Sequence, residues 1–169
     1  MKIPFCTFCV KSRMFCAKCQ SLLDSGEYEE LDVDVIDKLL SMEQKYKQYL
    51  SDVSYSKSYK VRNLLLIAMV GIRGIPKSIV KQMEEELTSE LGINVRLVEH
   101  TTKVNELATQ LTYPARIYSI SMAWLPDGTN ETIIKIPRHE TGRLPFKPTE
   151  LGKVLSKLTR ENVKVEVVG

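Results

Sequence analysis

The sequence predicts an α+β protein: a small N-terminal knuckle held by a metal, a linking helix, then two strand–strand–helix–strand units. Three observations lead there. Four cysteines fall within the first twenty residues as two C-x-x-C pairs. Beyond them, apolar residues switch between alternate spacing and three-four spacing in the same order twice. Apolar residues make up 43% of the chain and charged residues 27%, a balance that can fill a core.

Residues 1–22 show no helical or strand periodicity and are too few to bury a core, so a metal has to supply the organising energy. Cys6-x-x-Cys9 and Cys16-x-x-Cys19 can each form a tight turn that aims two thiolates at one point. Four thiolates complete the closed tetrahedral shell of structural zinc or a zinc-like ion. A redox C-x-x-C would follow the strand of a thioredoxin-like unit, and none starts here. An iron–sulfur site favours other spacings or a proline after the last cysteine, where this chain has Gln20. Phe5, Phe8 and Phe15 interleave with Lys11, Arg13 and Lys18, a mixture that suits stacked bases and phosphates or packs the knuckle onto the body.

Residues 23–54 form the linking segment. Val35, Leu39, Met42, Tyr46 and Tyr49 recur at helical spacing and predict one amphipathic helix from Leu31 to Leu50. Its first turns are acidic and its lysines come later, which suits the helix dipole. The first repeated unit is expected over residues 55–113. It has strands at Tyr55–Val61 and Leu64–Val70, the loop Gly71-Ile72-Arg73-Gly74, a helix after Pro76 and a strand at Asn94–Glu99, with a short helix from Lys103 to Leu111 at its end. The second, over 114–169, has a hairpin from Arg116 to Ile136 around Pro126-Asp127-Gly128. A polar loop, a helix from Pro148 to Leu158 and a strand at Val163–Val168 follow.

The net charge is +3, and its distribution says more than its size. A basic knuckle, an acidic run from Asp24 to Asp37 and a basic stretch from Lys135 to Lys164 point to an anionic partner touching selected faces. The longest apolar run, Leu64 to Val70, is far below the roughly 20 residues of a membrane span. The N-terminus lacks a signal-peptide pattern, which places the expected site of action in the cytoplasm. No P-loop, H-E-x-x-H or G-x-S-x-G pattern occurs, and His139-Glu140 reads as a surface loop, so no enzyme activity is expected.

Gly71-x-x-Gly74 encloses Arg73 and lies just before a helix start at Lys77, an arrangement that lets backbone N–H groups meet a phosphate. Together with Met1-Lys-Ile-Pro4 and the cysteine pairs, Glu30-Leu-Asp-Val-Asp34, Glu90-Leu-Gly-Ile-Asn-Val-Arg-Leu-Val98, Pro114-Ala-Arg116, Trp124-Leu-Pro-Asp-Gly128, Ile136-Pro-Arg138 and Leu155-Ser-Lys-Leu-Thr159, it gives the chain a resemblance. The chain is similar to archaeal KH proteins of the NusA type, some of which carry cysteine pairs at the front. That resemblance implies two KH-like units and RNA binding, with Gly71, Arg73 and Gly74 gripping the backbone. In the family the glycine loop joins two helices. Here Gly71 is expected to follow a strand directly, no helix is expected before Gly74, and the second half has no G-x-x-G. These readings lead to a non-catalytic RNA-binding protein containing Zn2+. Its contacts would come from Lys11, Arg13, Lys18, Gly71, Arg73, Gly74, Lys77, Arg138 and Arg143. Ribosomal RNA of the small subunit is the favoured partner, with nascent RNA beside polymerase, or a partner protein alone, as alternatives.

Overall fold

The computed structural model describes residues 1–169, which divide into two compact units, Met1–His100 and Thr101–Gly169.

In the first unit, two short helices, α1 (Thr7–Ser12) and α2 (Ala17–Asp24), replace the expected irregular knuckle. Their starts are set by cysteines in extended conformation at the N-cap, Cys6 and Cys16. Helix α3 (Glu30–Met42) opens with a reciprocal capping box, in which Asp32 accepts the Glu29 N–H at 2.8 Å. The predicted single helix to Leu50 is broken after Met42, and α4 is a short turn at Lys47–Leu50. At the break Tyr46 is buried, and its hydroxyl donates to Glu86 at 2.7 Å. A continuous helix would not be free to settle that phenol there.

Strand β1 (Ser54–Val61) pairs antiparallel with β2 (Leu64–Val70), with a bulge between Tyr55 and Lys57. Strand β3 (Asn94–Glu99) runs parallel to β2, so the sheet order is β1–β2–β3. The connection from β2 to β3 passes through a 3₁₀ turn at Ile72–Gly74 and helix α5 (Lys77–Leu91), which ends at Gly92 in the left-handed conformation. Gly71 follows β2 directly, and a single 3₁₀ turn occupies the rest of the loop, with Gly74 as its last residue. Leu65, Ile67 and Met69 of β2, Val95 and Leu97 of β3, Met83 and Leu87 of α5, and Val35, Ile36 and Leu39 of α3 share one buried cluster. Each fully buried aliphatic side chain contributes about 1.5–3 kcal/mol.

Asp32 links α3 to the sheet. Its carboxylate is buried and accepts the Ser58 N–H at 2.9 Å and the Tyr55 hydroxyl, besides capping its own helix. Burial, with the Asp32 charge beside it, pushes the Tyr55 phenol far above its ordinary value of 10.0.

The second unit begins with α6 (Val104–Thr112). The expected boundary between 113 and 114 is therefore corrected: the division falls at His100/Thr101, and α6 packs against α7 (Pro148–Thr159). Its buried Val104, Leu107, Ala108 and Leu111 supply the reason, since these belong to the core of the second unit. Strand β4 (Ser119–Trp124) pairs antiparallel with β5 (Asn130–Pro137), and β6 (Val163–Val168) lies parallel to β5. A 3₁₀ segment at Arg138–Arg143 separates β5 from α7. Ile134, Ile136, Leu151, Val154, Leu155 and Val163 are buried. Both units thus have the order helix, two antiparallel strands, 3₁₀ turn, helix and parallel third strand. No helix is long and apolar enough to cross a membrane.

Candidate metal centre

Each C-x-x-C pair is the first turn of a helix. Cys6 and Cys16 are N-caps, which puts Cys9 and Cys19 three positions on, where side chains reach back towards the helix start. Arg13 ends α1 in the left-handed conformation, with φ of 61°, and so turns the chain back towards the second pair. The pairs are cross-linked by sulfur hydrogen bonds. The Cys6 N–H donates to Cys19 Sγ at 3.3 Å, and the Cys16 N–H to Cys9 Sγ at 3.4 Å.

All four sulfurs lie within 4.8 Å of one another, with Cys6 and Cys16 at 4.0 Å. A tetrahedral ion with bonds of about 2.3 Å to sulfur separates its ligands by about 3.8 Å, so small side-chain movements close the shell. The donor set fits a tetrahedral, thiophilic metal. Four protein ligands leave no open position, so such an ion holds structure and does not activate water. In the metal-free form the thiols differ. The Cys19 backbone amide, more than any other group, lowers Cys16 to about 7, whereas burial pushes Cys19 above 9.0.

The knuckle is anchored on two sides. Phe5 is buried against Phe15 and Tyr28, with ring centroids 6.4 and 5.4 Å apart. Lys2 exchanges backbone hydrogen bonds with Val53 and Tyr55 at 2.8 Å each, at the start of β1. Towards α3, Lys11 meets Asp37 at 2.9 Å and Arg13 meets Asp34 at 2.8 Å. The acidic helix is therefore the anionic partner of Lys11 and Arg13, both assigned from sequence to RNA. Lys18 is exposed, and so are Phe8 and Met14, each 71% accessible.

The glycine segment is also satisfied from within. The Glu99 carboxylate accepts the N–H groups of Gly71 (2.9 Å), Ile72 (2.8 Å) and Arg73 (3.2 Å). These amides form the anion-binding concavity that the sequence offered to a phosphate. Gly71 is required here, because its φ is 100° and a Cβ would stand 3.2 Å from the Asp52 carbonyl. Gly74 has no such constraint, with open space around its Cα. Lys77 opens α5. In the second unit Arg138 is exposed, while Arg143 lies 3.8 Å from Glu140. Far from belonging to a surface loop, Glu140 is buried and accepts the Arg116 N–H at 3.2 Å. Four cysteines are thus brought together, whereas the proposed RNA contacts divide between paired and exposed groups. The pairings of Asp32, Glu99 and Glu140 leave no signal in the sequence pattern.

No family model and no curated protein matches the chain. Among solved structures it is similar to the crystal structure of APE1850, with a TM-score of 0.50 and 21% identity. The match covers 74% of this chain and 96% of that one. The likeness is one of fold.

Proposed function

We propose that the chain is a non-catalytic RNA-binding protein of the translation apparatus, a ribosome-associated or small-subunit component carrying one structural zinc ion on Cys6, Cys9, Cys16 and Cys19. The observation that carries this reading is the repeated helix–strand–strand–turn–helix–strand order, with a glycine-bounded 3₁₀ turn leading into α5. That order agrees with the two KH-like units that the sequence resemblance implies. Glu99, seated in the glycine loop, favours attachment to folded RNA over the gripping of a free single strand, because the phosphate donors are already in use. Exposed Lys18 and Arg138 supply positive charge that is not spent inside the fold.

Cross-linking in native cells followed by sequencing of the attached RNA tests the proposal. Ribosomal RNA is the expected product. Nascent messenger would move the protein to transcription, as the NusA likeness suggests. Absence of RNA, with protein cross-links through Phe8 and Met14, would replace RNA binding by an adaptor role.

A further inference from the structure

The exposed apolar residues of the second unit concentrate on one strand. Met122 and Trp124 of β4 are 59% and 73% accessible and alternate along it with Ile120, and Tyr118, one residue before the strand, is 71% accessible. Strand β4 pairs with β5 on one side only. Between Ser119 and Trp124 it has no charge, no proline and no bulge, the devices that normally blunt a sheet edge. Leu125 N–H bonds to the Thr129 carbonyl, so within Ser119–Trp124 the odd-numbered residues direct their backbone towards β5, while Tyr118, just before the strand, also turns its N–H to β5, at the Lys135 carbonyl. Ile120, Met122 and Trp124 therefore direct theirs to the open edge.

We propose that this edge is a self-association surface, on which a second copy of the chain pairs antiparallel and joins two three-stranded sheets into one of six. A two-fold axis beside Ser121 gives a self-consistent register. Ile120 then exchanges hydrogen bonds with Met122 of the second copy, and Ser119 lies across from Ala123 of the second copy. Each contact occurs twice, as an isologous interface requires. Cross-strand side-chain pairs of this kind are the stabilising unit of a sheet.

Charge selects a second copy over other occupants. Arg116 and Lys135 stand at the entry end of the hairpin, and Asp127 and Glu131 at its turn. Antiparallel pairing sets each basic end beside the acidic end of the other copy, whereas parallel pairing sets like on like. A nucleic acid laid along the stripe would meet Asp127 and Glu131 beside Trp124. The inference does not depend on the RNA-binding reading. A strand of this length buries less than the roughly 800 Å² per partner of a standard interface, so the dimer should be weak and populated only as concentration rises.

Sedimentation equilibrium of the metal-loaded full chain, from low micromolar to several hundred micromolar, should give a monomer–dimer curve. Met122→Pro removes an edge-facing donor and leaves the β5 side intact. It should raise the dimer dissociation constant at least tenfold, with an unchanged circular dichroism spectrum. Ser121→Cys should form a disulfide-linked dimer on mild oxidation, since directly opposed residues of a non-hydrogen-bonded pair lie about 4.5 Å apart at Cα. Ser119→Cys should cross-link only when mixed with Ala123→Cys. A wild-type chain that stays monomeric throughout would overturn the proposal, whether or not RNA or another protein binds β4. Equal dimerisation of Met122→Pro, or cross-linking of Ser119→Cys alone as readily as Ser121→Cys, would overturn it too.

Discussion

Replacing Glu99 tests whether the glycine loop is an anion site already filled. The carboxylate receives N–H groups from three consecutive residues, Gly71, Ile72 and Arg73, at 2.8–3.2 Å. A net hydrogen bond to a charged group is worth about 1.5–3 kcal/mol, and three donors sharing one acceptor are not additive. Glu99 is also partly exposed, so Glu99→Ala should cost about 2 kcal/mol in all, read as a lower urea midpoint at unchanged slope. The vacated amides should then accept an external anion. With a dissociation constant near 10 mM, 100 mM phosphate would return about 1.4 kcal/mol to the variant. Thermal shift with phosphate, against chloride at matched ionic strength, separates this effect from screening. The wild type should show no phosphate-specific gain. Destabilisation without a phosphate response would mean that the loop collapses when Glu99 leaves, and the anion-site account would fail.

Other substitutions probe the remaining anchors. Asp32→Ala strands the Tyr55 hydroxyl and the Ser58 and Glu29 N–H groups, and should lower stability by about 2–4 kcal/mol in chemical unfolding, while Asp34→Ala should cost less than about 1. Lys11→Glu should destabilise by about 0.5–1 kcal/mol and be rescued by adding Asp37→Lys; additivity in that double-mutant cycle would refute the pairing. Metal loading at pH 7 should release about three and a half protons, because Cys16 is half ionised near 7 while Cys6, Cys9 and Cys19 lie above 9.0. The sign follows: the bound state needs thiolates, so affinity rises with pH through this range and falls on acidification. Calorimetry in buffers of different ionisation enthalpy measures the count, and a value near zero would exclude thiolate ligation.

The cysteine cluster was legible because its information is local. C-x-x-C spacing already fixes which sulfurs share a turn, and only the convergence of the two turns is tertiary. Helices α1 and α2 escaped notice because they begin on cysteine rather than Ser, Thr, Asp or Asn, and are too short for an apolar period. The break after Met42 was hidden for the opposite reason. Tyr46 and Tyr49 continue the helical spacing, although Tyr46 is buried and bonded to Glu86 of α5. The order of strands along the chain was readable from the hydrophobic pattern, yet chain proximity places α6 with the first unit although its apolar face belongs to the core of the second. The charge pattern concealed an internal pairing. Lys11 and Arg13 look like an external anion site until α3 brings Asp34 and Asp37 against them. Pairing across more than twenty residues leaves no trace in composition.

These internal pairings bear on how the proposed RNA binding should respond to salt. Seven cations were assigned to RNA from sequence: Lys11, Arg13, Lys18, Arg73, Lys77, Arg138 and Arg143. Were all seven to neutralise phosphates on single-stranded RNA, the slope of log affinity against log salt would be about −5. Lys11, Arg13 and Arg143 face carboxylates of their own chain, and a cation that gives up one anion for another releases fewer counterions. Exposed Lys18 and Arg138 alone would give a slope of about −1.4, so the expected value falls well short of −5. Arg138→Ala and Lys18→Ala should each flatten it by about 0.7, whereas Lys11→Ala should leave it unchanged. A slope near −5 that falls on removal of Lys11 would mean that the knuckle lets go of α3 to meet RNA. The acidic helix would then be a competitor for the knuckle and not its fixed seat.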